Sequence, residues 1–430
     1  MNKILTILTF AVFLASCQTQ KQNSNIVTSD IKNFWEAYDK ITSTQDSTLQ
    51  YQYLESLYLK KGTNGLVAIR QARNYTPQDF IYAINNYPNF WTSIRENTLK
   101  VSQYSQELEK GIKSLKEIYP EIKLAKIYFT IGALRTNGTT LDSLVLIGSE
   151  LALANKKTPT NEFPENLSHL VSYFDSEPSK DIIFLNIHEY VHTQQKETIG
   201  NSLLSQTIME GVAEFLAEIA LDQKSPNPQI KFGYENENRV KQEYEKEMFS
   251  PNIYNWIMNN PNNEFGMRDL GYFIGYAICK KYYEQSSDKK LAVKEMIELD
   301  YNNENELIKF VENSEYFDKS LNSYKEAFEK SRPKVESVED IETNIDVLTI
   351  HFSQNMDTRF RNFQFGPLGE EAVIRIKDFK GFSEDGKSVS FGIEKLEPSK
   401  KYQILVGSGF RNIDGVPLIP YLIEFETNKK

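Results

Sequence analysis

A chain of 430 residues, 40 % apolar and 25 % charged, has room for two or three domains and the balance of a soluble globular protein. Its net charge of -10 excludes the broad basic face that nucleic-acid binding needs, so no nucleic-acid partner is expected. The 24 tyrosines and 26 phenylalanines predict aromatic-rich cores or grooves.

The chain opens with Lys3 and an apolar run, Ile4 to Leu14, too short for the about 20 residues that span a bilayer. It reads as a secretory signal. The run ends in Leu14-Ala15-Ser16-Cys17, which resembles the bacterial lipobox. The resemblance implies a signal peptide over residues 1–16, cleavage before Cys17, and lipid on Cys17 that anchors the exported chain in the bacterial cell envelope. The polar stretch that follows, residues 17–30, reads as a tether. Cys279, the other cysteine, sits in the apolar run "GYFIGYAICKKYY" and is expected to be a buried thiol. With Cys17 lipidated, no intrachain disulfide can form.

From about Asp30 to Tyr119, aromatic and aliphatic residues recur at spacings of three and four, which predicts helices. The period then changes. A pair of strands is predicted at about Lys126–Leu134 and Ser143–Leu153, with Asn137-Gly138 as a turn between them. Helices are predicted at about Lys180–Glu197 and Leu203–Gln223, and more helices on to about Ser331. Beyond Glu336, five short β-rich segments alternate with turns such as "SEDGK" and "NIDGVP", which predicts a sandwich. The pieces Ile350-His351-Phe352-Ser353, Met356-Asp357, Asp414-Gly415 and Phe425-x-Thr427 resemble the bacterial Ig-like domain. That resemblance implies a spacer, or a contact with other envelope components, and makes His351 a structural strand residue.

The segment "IIFLNIHEYVHTQQ" holds two of the four histidines. On a helix, residues four apart share one face with Cβ atoms about 5–6 Å apart, so His188 and His192 can point at one ion. Glu189 can then reach a water on the metal's side. This short pattern recurs in unrelated proteins, and its context gives it weight. The run "DIIFLNI" before it predicts a buried helix, where unpartnered histidines and a glutamate are costly. The next helix carries Glu210, Glu214 and Glu218 as an acidic stripe, and Gly211 beside Glu210 lets a neighbouring backbone approach closely.

His188-Glu189-x-x-His192 followed by Glu210-Gly211-x-Ala213 resembles the gluzincin metallopeptidases, and residues 126–283 resemble predicted zinc-dependent proteases of bacterial lipoproteins. The resemblance implies that His188, His192 and Glu210 bind Zn2+. It makes Glu189 the general base and Glu214 a hydrogen-bond acceptor for the first ligand histidine. It further implies an oxyanion-stabilising tyrosine, Tyr272 in Tyr272-x-x-Gly275, with Tyr276 as the substitute. The strand within "LDSLVLIGSELAL" would be the edge that binds substrate by strand addition. Gly148-Ser149-Glu150 does not match the amine-binding motif of the aminopeptidases, so endopeptidase and aminopeptidase stay open.

The expected class is therefore α+β. A mainly helical zincin-like domain with a small sheet covers residues 31–332, and an all-β Ig-like sandwich covers residues 336–430. The expected function is a membrane-anchored zinc peptidase acting on a peptide or protein. The alternative is a non-catalytic binding or scaffold lipoprotein with a structural or vestigial metal site. His169 is expected at the surface or in the core.

Overall fold

A computed structural model describes residues 25–196, 202–259, 263–339 and 346–428. The expected signal peptide and the lipidated Cys17 lie outside the described residues. The last residues of the expected tether are part of the folded body. Ile26–Val27 forms strand β1, and helix α1 (Ser29–Thr42) begins two residues later. Ile26 is β-branched and buried, which suits it to a strand packed on the body.

Five further helices follow: α2 (Ser47–Tyr53), α3 (Asn64–Ala72), α4 (Pro77–Asn86), α5 (Pro88–Leu99) and α6 (Ser105–Ile118). Thr76 and Asp79 cap α4 reciprocally, and prolines occupy the first turns of α4 and α5, where no donor is lost. Phe34, Trp35, Tyr58, Phe90 and Trp91 are buried together and meet largely edge to face.

The sheet has the order β1-β2-β4-β3, with β2 at Lys126–Thr130, β3 at Gly138–Leu141 and β4 at Leu144–Gly148. This corrects the predicted strand pair. β2 and β4 run parallel, and the turn is at Asp142, in the left-handed region at φ 50°, while Gly138 opens β3. The predicted second strand stops at Gly148 and becomes helix α7 (Ser149–Ala152). There the buried Glu150 carboxylate accepts the N–H groups of Gly132 (2.8 Å) and Leu134 (3.2 Å). The strand expected at the edge is thus an interior one, and β3 takes the edge.

Helices α8 (His169–Asp175), α9 (Ile182–His192), α10 (Leu203–Leu221), α11 (Pro228–Glu235), α12 (Glu237–Glu247) and α13 (Leu270–Gln285) complete the central layer. Helix α9 packs on β3, β4, α6 and α10, and α10 packs along α13. Helices α14 (Lys289–Glu298), α15 (Glu304–Asn313) and α16 (Leu321–Ser331) close the body. Among the described residues no helix is long and apolar enough to cross a membrane. Cys279 is a buried free thiol.

The remaining strands are β5 (Val335–Val338), β6 (Val347–Phe352), β7 (Phe363–Gln364), β8 (Ile376–Phe382), β9 (Ser388–Ile393), β10 (Lys401–Val406) and β11 (Tyr421–Glu426). They form two small sheets, β5-β6-β9-β8 and β11-β10-β7, over a second apolar core. The chain is α+β, and the Ig-like expectation for this part goes no further than these two sheets. His351 lies on β6 beside Glu339 at 3.3 Å. The Arg332 guanidinium joins the two parts by donating to the carbonyls of Pro417 (3.1 Å) and Leu418 (2.8 Å).

Candidate metal centre

Helix α9 has no glycine or proline and is buried along most of its length. Helix α10 is capped at its start by Ser202, whose hydroxyl accepts the Ser205 N–H, and at its end by Asp222 in the left-handed region. Their packing brings Glu210, 18 residues beyond His192, onto the same spot as the two imidazoles. The His188 and His192 Nε2 atoms are 3.1 Å apart. Glu210 Oε2 lies 3.2 Å from His192 Nε2 and 3.4 Å from His188 Nε2.

The outer ring nitrogens fix what these inner atoms are. His188 Nδ1 faces Glu214 Oε2 at 3.0 Å, and His192 Nδ1 faces Gln195 Oε1 at 2.6 Å. Both partners accept, so both Nδ1 atoms carry the hydrogen and neutral rings turn bare Nε2 lone pairs toward each other. Two lone pairs and a carboxylate oxygen cannot share a buried spot without positive charge between them. In the chain alone, protons supply it. Burial opposes charge on His188, but Glu210 and Glu214 outweigh it and lift the ring to about 10. Burial opposes the charge on Glu210 too, yet the two histidines hold its carboxyl below its usual range.

A metal ion meets the same demand. Two donors about 2.1 Å from a zinc at tetrahedral angles are about 3.4 Å apart, close to the 3.1, 3.2 and 3.4 Å that separate these three atoms. His188, His192 and Glu210 therefore fit zinc by donor type and by separation.

The surroundings are built to match. Glu214 is fully buried and accepts from Asn227 Nδ2 at 2.8 and 2.9 Å and from Ser225 Oγ. Glu218 lies one turn on and accepts from Tyr276 Oη (2.8 Å) and Lys224 Nζ (2.9 Å). Tyr276 is thus turned away from the metal spot. Tyr272 faces it, with its ring stacked on His188 at 6.0 Å and its hydroxyl turned toward Glu210. Glu189 sits beside the edge strand, where a Cβ on Gly138 would come within 2.8 Å of its Oε1. Burial raises the Glu189 carboxyl above its usual range, against the pull of both histidines. His169 is exposed at the start of α8 and stands apart from the cluster.

Gln195, Ser225, Asn227 and Gly138 are not evident as site residues from the sequence. Gln195 lies three residues past His192, a spacing that could have been read. The turn "SPNP" announces only a loop, and nothing local says that it folds back onto Glu214.

Among curated proteins none matches this chain. Among solved structures the S-layer protein rSbsC aligns at 14 % identity over 64 % of this chain and 38 % of its own, with a TM-score of 0.19. The chain spans well under half of that protein, and the likeness carries no argument. The family model described as gliding motility protein GldB matches residues 16–262, and it overturns the expected membership of the gluzincin peptidases. Five residues and a distant glutamate specify donor atoms at a helix pair, and donor atoms do not specify ancestry. The chain is an envelope-anchored lipoprotein, in keeping with a lipid anchor at Cys17. The match spans more than half of the sequence, and this chain belongs to the gliding motility protein GldB family.

Proposed function

We propose that this lipoprotein is a non-catalytic binding or scaffold component of the gliding apparatus, its helical body fastened by one zinc ion at His188, His192 and Glu210. The family match supports the first half. The convergence of two bare imidazole nitrogens and one carboxylate oxygen at tetrahedral spacing carries the second. Bound there, zinc supplies a positive centre and Lewis acidity. The chain's own residues do the rest. Glu214 and Gln195 hold the two rings in one tautomer, and Glu210 brings the charge that the neutral rings lack. A structural zinc would take four donors, so a group from a partner would complete the three that this chain offers.

A second reading, zinc-dependent hydrolysis of a peptide or protein, has one observation in its favour. Glu189 points into the same space with a raised pKa, and among the described residues no hydrogen bond holds its carboxylate. Such a group can take a proton from a water and return it to a leaving group.

Metal analysis of the purified full chain tests the first reading, together with colony spreading in a strain carrying His188→Ala or Glu210→Ala. About one zinc per chain in the parent, none in the variants and lost spreading are expected. A parent without zinc would end it. A peptide library cut by the parent and left uncut by Glu189→Gln would favour the second.

A further inference from the structure

His192 is held by a relay that ends far along the chain. Gln195 Oε1 faces its Nδ1 at 2.6 Å. The same amide donates through Nε2 to the Met209 carbonyl (3.0 Å) and to the Tyr301 hydroxyl (2.9 Å). Tyr301 Oη in turn donates to the Met296 carbonyl at 2.6 Å, and its own carbonyl accepts from Ser205 Oγ at 2.7 Å.

Every direction in this relay is determined. A carbonyl only accepts, so Met296 fixes the Tyr301 proton, and the hydroxyl is left to accept from Gln195. The Met209 carbonyl likewise fixes the Gln195 amino group. The Gln195 oxygen can then face only His192, which must carry its proton on Nδ1. Tyr301 is 2 % exposed, so water does not compete for its hydroxyl.

We infer that Gln195 and Tyr301 are positioning residues that lock His192 as the Nδ1–H tautomer and aim its Nε2 at the metal. This rests on the zinc reading above. The two histidines are supported differently. His188 leans on a carboxylate, and His192 leans on a neutral amide. A second buried carboxylate there would add charge to a site that already holds Glu189, Glu210 and Glu214. The amide gives direction without charge. Tyr301 also lies outside the residues matched by the family model, so the centre draws support from the turn between α14 and α15.

The test measures zinc affinity of the full chain in detergent, by competition with a chromophoric chelator, for the parent, Gln195→Met and Tyr301→Phe. Gln195→Met keeps the side chain's size and removes the relay, and Tyr301→Phe keeps the ring. Affinity is expected to fall roughly 10- to 100-fold for Gln195→Met and by about 10-fold for Tyr301→Phe. The Nδ1–H resonance of zinc-bound His192 should be present in the parent and lost or broadened in Gln195→Met. A merely structural role would lower thermal stability while zinc affinity and that resonance stayed as in the parent, and this result would overturn the inference alone. A parent that takes no zinc would overturn the zinc reading, and the inference with it. If Gln195→Met does not fold, Tyr301→Phe decides by itself: parental affinity there refutes the relay.

Discussion

Gly211 and Gly275 meet backbone to backbone: a Cβ on Gly211 would lie 2.1 Å from the Gly275 carbonyl carbon. A Cβ on Gly275 would lie 1.9 Å from the Thr207 carbonyl oxygen. Only glycines allow α10 and α13 to cross this closely. The crossing seats Tyr272 beside Glu210 and Tyr276 against Glu218, and so closes one side of the metal spot.

Alanine at either glycine should therefore push the helices apart. Neither clash is with a flexible side chain, so the backbone itself must move. Overpacking of this kind costs roughly 1–3 kcal/mol or more. Urea unfolding should show a lowered midpoint for Gly211→Ala and Gly275→Ala, with zinc affinity falling in parallel. An unchanged midpoint would mean that the crossing is looser than it looks.

Zinc should stabilise the folded chain. At free zinc 100-fold above the dissociation constant, the gain is about 2.7 kcal/mol. A chelator should lower the melting temperature of the parent, and zinc should restore it. His192→Ala should melt at one temperature with or without zinc, and a zinc-dependent shift in that variant would place the ion elsewhere.

Glu189 distinguishes the scaffold from the hydrolase. Glu189→Gln keeps size and loses the base. The expected outcome is parental zinc content, parental melting temperature and normal colony spreading. If the site is instead hydrolytic, turnover of a library peptide should fall at least about 10²-fold. Lost spreading with zinc retained would point the same way.

Glu150 predicts a pH dependence remote from the metal. It is fully buried, and burial lifts its carboxyl from 4.5 to about 7 against the backbone N–H groups of Gly132 and Leu134. A carboxyl whose pKa is higher folded than unfolded binds its proton more tightly in the folded state. Its contribution is complete below about 4.5 and lost as pH rises through about 7. The loss is roughly 3 kcal/mol. Glu150→Gln mimics the protonated form and should flatten unfolding free energy over this window. A variant with the parent's full pH slope would assign that slope to other groups.

Anchoring is tested at the other end. Cys17→Ser should leave an uncleaved or soluble chain, and metabolic lipid label should mark the parent alone. Equal label on both would move the anchor away from Cys17.

Local chemistry is what the sequence by itself determined. The spacing of His188 and His192 requires one helical face, because a helix repeats every 3.6 residues whatever surrounds it. The glutamate stripe on the next helix spaces three carboxylates one turn apart, and in the fold Glu214 Oε2 lies 3.0 Å from His188 Nδ1. The β-rich tail was legible from its turns, since Asp-Gly and short alternating runs act within a few residues.

Tertiary structure decided what depends on partners far along the chain. Strand order is one case: local pattern marks β2 and β4 as strands but does not say that they pair in parallel, or that β3 takes the edge. The supports of the metal spot are another. Gln195 becomes an orienting group only because Tyr301, 106 residues away, accepts from it, and Asn227 only because its loop returns to Glu214. Family membership also escaped the motif. A pattern of five residues records a demand for donor atoms, and descent is written across the whole of residues 16–262. Long-range packing sets hydrogen-bond direction and register, and no window of sequence contains both ends of those contacts.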